Sequence, residues 1–589
     1  MKVEIINCAL GKVPADLMVK GVNLINVCTG EVLKDIDVAV KNDRIACVGK
    51  ADDLIANNTV KIDAKGKYLS PGFIESHIHV ESSMLSLTEF AKTVIPVGTT
   101  GILWDAHEIA NVMGIEGLEI IIKEAENTPL KTYFVIPSCV PSAPGLETSG
   151  AEISVKEIKI MKKWTNVVGL GEVMAFPAVI NAEPQIMEKI LEANSLRLID
   201  GHAPGLRGDQ LNAYLAAGIL SDHETVDGDE GLEKLRLGAW LMIREGSASK
   251  NLQSLIKPIL EKNLDTRHCL LVSDDLSPQD LTTQGHINHL LKRAVEEGVD
   301  PVKAVQMVTI NPATYLGKDK EIGSITPGKK ADLVLLESLE RFKAELVIID
   351  GKMVAKDGEF LGETGRFEYP KKARSSIHTK NITPDRFNIK APNGEKTIKV
   401  HVIQVFGDTI LTKAGVETLN VDDKGNILVD IEKDVLYGAV VERHHGTGNV
   451  GLGFIKGFNL KEGAIAGTVA HDSHNIVTVG TTPEEIFQAV KAIKKNNGGL
   501  IVGKNGGILE ALSLPLFGLL SDKPVQEVAE KTRKLTEAAK KLGTKLTHPF
   551  ATLSFIALAV IPELRITDKG LVNVIERKII NPIINNLDV

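Results

Sequence analysis

The spacing of apolar and polar residues changes its period along the chain. Over residues 1–66, short runs such as Leu17–Val27 and Ile36–Val40 alternate apolar with polar, parted by Thr29-Gly30-Glu31 and Asn42-Asp43. A period of two, interrupted by turn formers, predicts strands of a small β-sandwich. Beyond residue 67, apolar β-like runs alternate with helical stretches such as Leu87–Val94 and Gly117–Glu126. That is the rhythm of βα units on a parallel sheet. The predicted strands are Leu69–His77, Gly101–Asp105, Thr132–Ile136, Val167–Gly171, Leu196–Asp200, Ile219–Ser221, Ala239–Ile243 and Cys269–Ser273. Eight of them over about 240 residues predict a (β/α)8 TIM-like barrel.

After a helical segment, Pro301–Tyr315, strand patterns return in 328–336 and Leu346–Asp350. The most economical α/β arrangement inserts the barrel into a sandwich built from both flanks. Residues 1–66 supply its first half, 67–320 the barrel and 321–360 the second half. Residues 361–385, with Gly, Lys, Arg, Ser and Pro, read as a linker. Residues 386–589 form a separate C-terminal α+β domain. Its predicted strands include Val400–Val405 and Ile427–Val429, and its helices Glu484–Lys494 and Val525–Leu542.

Composition narrows the classes of function. A net charge of −8 argues against a phosphate-binding surface, so nucleic acid is not expected as a partner. No apolar run approaches the ~20 residues needed to span a bilayer, and no secretory leader is visible, so no membrane partner is expected. The five cysteines are scattered without a Cys-x-x-Cys pair, which points away from a disulfide framework or a thiolate zinc site and toward the reducing cytoplasm.

Chemistry-bearing residues cluster directly after the predicted barrel strands. They are His77 and His79, His107 and Glu108, Glu172, His202, His223, Arg244 and Glu245, and Asp274 and Asp275. In a barrel these ends converge on one face. His77 and His79, two apart on a strand, share a side and can grip one ion. With Glu172, His202, His223 and Asp274 they make six candidate ligands, more than the three protein ligands usual for one catalytic zinc. Imidazole and carboxylate donors suit Zn2+, Mn2+ or Fe2+. A second ion needs a bridge, and Glu172 is the carboxylate available. Water held between two such ions is deprotonated near neutral pH, and Asp274 would be ligand and proton shuttle together.

Several motifs carry a resemblance. Pro71-Gly72-Phe73-Ile74 with His77-x-His79 resembles the amidohydrolase superfamily. His77-Ile78-His79-Val80-Glu81-Ser82-Ser83-Met84, Asp105-Ala106-His107-Glu108-Ile109-Ala110-Asn111, Gly171-Glu172-Val173-Met174, Asp200-Gly201-His202-Ala203-Pro204-Gly205 and Ser273-Asp274-Asp275 resemble adenine deaminases more narrowly. So does the C-terminal run from Gly463 to Asn475. The resemblance implies hydrolysis of adenine to hypoxanthine and ammonia, in purine salvage, by hydroxide attack at C6. It implies a binuclear divalent centre, Mn2+ first with Fe2+ or Zn2+ as alternatives, on His77, His79, Glu172, His202, His223 and Asp274. Asp274, Glu172 and Glu108 are the catalytic candidates; His107, Glu245 and Asp275 are candidates for binding substrate. Which of Glu108, His107, Glu245 and Asp275 protonates the purine ring stays open. Adenine and water are the expected partners, with a homo-oligomer of two or more chains.

Glu75-Ser76, Ala106 and Asn288 depart from the family's usual residues without removing a ligand; Glu75 bears on the surroundings of the metals. The competing readings are another amidohydrolase acting on a cyclic amide or N-acetyl substrate, and a metal-binding scaffold without catalysis. His444-His445 and His471/His474 are either a packing network or a cluster that closes over the barrel mouth or binds a further metal.

Overall fold

The computed structural model describes residues 2–584 except 248, 366, 393 and 408. Eight parallel strands form a barrel: Phe73–His79, Thr99–Asp105, Lys131–Ile136, Val167–Val173, Leu198–Gly201, Ser221–Asp222, Trp240–Arg244 and Cys269–Val272. They fall into two ladders, joined where the Leu220 amide donates to the Ile199 carbonyl at 3.0 Å. At the other seam Asp274–Asp275 pairs in parallel with Ile78 and His79. Seven strands send Ile74, Leu103, Val135, Val168, Leu198, Met242 and Leu270 into one apolar cluster, completed by Tyr315, Leu316 and Ile322. Each such buried side chain contributes about 1.5–3 kcal/mol. The interior is therefore a filled core, and only the ends of the strands are open to chemistry.

The first strand differs from its sequence expectation. Leu69–His77 is not continuous: Tyr68–Pro71 belongs to the flanking sheet, and the barrel strand starts at Phe73. Pro71 and Gly72 separate them, and Gly72 turns its amide to the Asp332 carbonyl at 2.9 Å. Pairing with the second strand then shifts between Glu75 and Ile78. Ile74 consequently packs inside the barrel while Ile78 joins the outer cluster under the helices. That one irregularity leaves His77 and His79 at the open end.

Both flanks of the barrel contribute to one nine-stranded sheet. Tyr68–Pro71 pairs with Leu17–Asn26 on one side and Leu333–Leu336 on the other. The sheet curls until Ile45 meets Lys329, around a core that includes Val19, Leu24, Val38, Leu333 and Ile348. Lys2–Ala9 is a helix, where the pattern had predicted strands throughout 1–66. The helix expected at Gly117–Glu126 begins at His107 and runs to Ala125, interrupted by a non-helical Gly114. The two glycines hid its first half. Ile427 makes only an isolated bridge to Val421, because the tight turn around Asp422–Asn426 leaves too little chain for a strand.

The C-terminal residues build an eight-stranded sheet carrying the helices Pro483–Lys495 and Val525–Lys541. Among the described residues, no helix is long and apolar enough to cross a membrane. Segment 361–385 lies against both regions: Tyr369 donates its hydroxyl to Glu124, and Ala373 accepts from the Phe517 amide at 2.7 Å.

Glycine is required in the fourth barrel strand by close approach. A methyl group on Gly171 would overlap the Asp105 carboxylate, which accepts the Glu172 amide at 3.0 Å. One on Gly169 would overlap Leu198. Gly171→Ala should therefore lower stability by about 1–3 kcal/mol through overpacking, read as a lower thermal midpoint by circular dichroism. An unchanged midpoint would show that Asp105 yields freely.

Candidate metal centre

The six candidate ligands meet at the open end of the barrel. His79 Nε2 lies 2.8 Å from Glu172 Oε1 and 3.2 Å from Asp274 Oδ1. His77 Nε2 lies 3.4 Å and 3.7 Å from the same two atoms. On the far side of Glu172, Oε2 is 2.6 Å from His202 Nδ1 and 3.4 Å from His223 Nε2. The His77 and His223 rings stack at 3.9 Å. One carboxylate thus faces two pairs of imidazoles, one pair from each oxygen.

All but His202 are buried, and although His202 Nδ1 and Glu172 Oε2 are hydrogen-bonded at 2.6 Å, other facing atoms are left without a partner. His77 Nε2 and Glu172 Oε1 have no hydrogen-bond partner despite their proximity, because their directions do not match one. Buried polar atoms without partners are rare, and leaving one costs about 1–3 kcal/mol. His77, His79 and Asp274 form one group whose ligand atoms lie within 4.8 Å of each other, and His77, Glu172 and His223 form another. Nitrogen and carboxylate oxygen aimed at common points fit a divalent metal.

The electrostatics agree. Burial alone would raise the Glu172 carboxyl, but His223 and His79 hold it well below the usual range. Burial would likewise depress His77, yet Asp200 and Glu172 push it up to about 10. For Asp274, Arg244 and His79 overcome burial and hold the carboxyl well below its usual range. His77 and His79 are therefore held toward the protonated form beside ionised carboxylates, and a divalent cation would take the place of those protons.

Further contacts orient these groups, and sequence reasoning missed most of them. His79 Nδ1 donates to the Asp105 carbonyl at 2.9 Å, which leaves Nε2 free to ligate. His77 Nδ1 faces Asp200 at 3.4 Å, and Asp200 accepts the Tyr315 hydroxyl at 2.8 Å. Arg244 donates to Asp274 Oδ2 at 2.6 Å, turning Oδ1 toward the histidines. Glu75 accepts from the His77 amide at 3.0 Å, and from Ser273 through its amide at 2.9 Å and its hydroxyl at 2.7 Å. It ties the first strand to the last beside Asp274. Beneath His223, the buried Lys234 ammonium pairs with Asp222 and Glu230 and donates to the Ala203 carbonyl. The signal available for Asp105, Asp200, Asp222 and Arg244 was their position at strand ends.

The other predicted site residues separate into two groups. His107 lies beside the centre, with Nδ1 3.9 Å from Glu172 Oε1 and its ring 4.6 Å from that of His79. Asp275 follows Asp274 and accepts the Ser82 hydroxyl; burial and then Asp274 push its carboxyl up. Glu108 turns away from the six and meets His471 and His474 of the C-terminal region. Glu245 is committed elsewhere, accepting the Leu252 amide at 3.3 Å and facing Arg293 at 3.4 Å.

Residues 68–354 match the amidohydrolase family and residues 409–578 match the adenine deaminase C-terminal domain. An adenine deaminase of Clostridium botulinum (strain ATCC 19397 / Type A) is 45% identical over 571 residues, covering 96% of this chain and 94% of that one. Adenine deaminases of Archaeoglobus fulgidus and Moorella thermoacetica are 43% and 41% identical, each over at least 97% of this chain and 96% of their own length. Identity of that order, sustained across the barrel and the C-terminal domain alike, makes this chain a member of the adenine deaminase family of amidohydrolases.

Proposed function

We propose that the chain deaminates adenine by hydrolysis, releasing hypoxanthine and ammonia in purine salvage. The convergence of His77, His79, His202, His223 and Asp274 about Glu172 supports this reading most, together with the adenine deaminases to which the chain is similar along its length. Two divalent ions, Mn2+ first and Fe2+ or Zn2+ as alternatives, would be held on either side of Glu172. His77, His79 and Asp274 would serve one side, and His202 and His223 the other. When bound, they supply a water acidified to hydroxide near neutral pH and positive charge where the transition state builds negative charge.

The remaining work falls to this chain's own groups. Asp274 Oδ1 takes the proton of the water that adds to C6, while Arg244 keeps Oδ2 occupied. As the C6–N bond breaks, Asp274 returns that proton to the departing nitrogen, which leaves as ammonia. His107 and Asp275, beside the cluster, are the groups we assign to the purine ring nitrogens. Glu245 takes no part, its carboxylate being held by Leu252 and Arg293. The cytoplasm is the compartment proposed, in keeping with five cysteines that are all free thiols.

Protein loaded with Mn2+ should release ammonia from adenine and leave a cyclic amide unopened; ring opening of the amide with inert adenine would reverse the assignment. Glu172→Gln removes the shared charge, so metal content should fall well below that of wild type and activity by about 100-fold or more. Full activity at unchanged metal content would remove Glu172 from the site.

Asp274→Asn still offers an oxygen but accepts no proton. Its kcat should drop by about 100-fold or more while metal occupancy changes little. Collapse of occupancy, with the rate restored by added metal, would make Asp274 chiefly a ligand.

A further inference from the structure

The Ala470–Asn475 segment belongs to the C-terminal domain, yet it meets the barrel at Glu108, next to the His107 that borders the metal-ligand cluster. His471 Nδ1 lies 2.6 Å from Glu108 Oε1, and His474 Nε2 contacts Glu108 Oε2. Each oxygen of one buried carboxylate is therefore taken by a different imidazole. The segment is firmly seated on its own side. Ser554 accepts the His471 amide at 3.2 Å, the His471 ring stacks on Phe555 at 5.2 Å, and Asn475 Oδ1 accepts the Arg443 amide at 3.1 Å. Glu108 in turn stands 3.6 Å from His107 Nε2, and the other face of His107 looks toward Glu172.

The same three side chains are close enough to share a cation. The protonation pattern decides against that. The Ala470 amide donates to His474 Nδ1 at 3.1 Å, so that nitrogen is the acceptor and Nε2 keeps the ring proton. A nitrogen that bears a proton donates to Glu108 and has no lone pair for a metal. Burial alone would raise the Glu108 carboxyl, but His471 and His474 hold it well below the usual range. Burial would lower His471, yet Glu108 pushes it up to about 9. The trio is an ionised carboxylate clamped by two donors.

We propose that His471 and His474 are positioning residues for the barrel's reaction: the C-terminal domain holds the Glu108 carboxylate, and through it the His107 ring, against the metal-ligand cluster. This rests on the deaminase reading above. An unclamped Glu108 would turn to the nearest donor, which is His107, and draw that ring off the substrate side. A displacement of about 1 Å in a positioned group costs on the order of 100-fold in rate.

The test exploits which ring nitrogen each histidine uses. An asparagine amide nitrogen sits near the position of Nδ1, and a glutamine amide nitrogen near that of Nε2. His471→Asn and His474→Gln therefore keep the donors to Glu108, whereas His471→Gln and His474→Asn misplace them at nearly the same size and polarity. With Mn2+-loaded full-length protein, the first pair should deaminate adenine within about threefold of wild type. The second pair should lose about 100-fold, mainly in kcat, with metal per chain unchanged. Combining His471→Gln with His107→Asn should cost little more than His107→Asn alone, since both act through one ring. Equal rates in all four variants, or additive losses with His107→Asn, would overturn the proposal. So would loss of one metal ion per chain, which would turn the trio into a further cation site. A wild-type protein inert toward adenine would instead refute the deaminase reading.

Discussion

The barrel's open end is organised by the charge on Glu172. A carboxylate buried to this degree is unfavourable alone, and His79, His202 and His223 within 3.4 Å of its oxygens offset that cost. The imidazoles are in turn held by fixed groups, the Asp105 carbonyl behind His79 and Asp200 behind His77. No member is placed by its own strand alone. Remove the central charge and four imidazoles lose their common partner, which is why ligand geometry and local stability are a single problem here.

The scaffold serves that arrangement in two ways. A filled core fixes the strand ends relative to one another, and three buried polar links add to it where regular pairing stops. Glu75 joins the first strand to Ser273, Arg244 joins the seventh to Asp274, and Lys234 secures Asp222 below His223. Buried charges of this kind are costly when one partner is removed, about 3–5 kcal/mol. They add directional restraint at the ends that hydrophobic packing does not supply. The C-terminal domain reaches the same end of the barrel through His471 and His474.

Much of this was legible from the sequence, for a physical reason. A parallel barrel puts its chemistry at one end of its strands, so six donors at the ends of five strand-like runs already implied convergence. What stayed hidden depended on contacts between distant residues. Glu75 and Ser273 are separated by 198 positions, and Glu108 and His474 by 366. Neither pairing leaves a local pattern. Glu108 looked like an acid beside the reaction because its strand end was visible and its C-terminal partners were not. The irregularity between Glu75 and Ile78 was equally silent, since alternation read from residues presumes regular pairing. Glycines at 114 and 117 broke the helical period and concealed that the helix starts at His107.

We propose that Glu172 is the carboxylate shared by two metal ions. Anomalous scattering from crystals of Mn2+-loaded protein, recorded at the manganese edge, addresses it without reference to activity. Two peaks per chain are expected, about 3.5–4 Å apart. One should lie among His77, His79 and Asp274, the other beside His202 and His223, with Glu172 contacting both. A single peak, or two peaks with Glu172 bound to only one, would contradict the account.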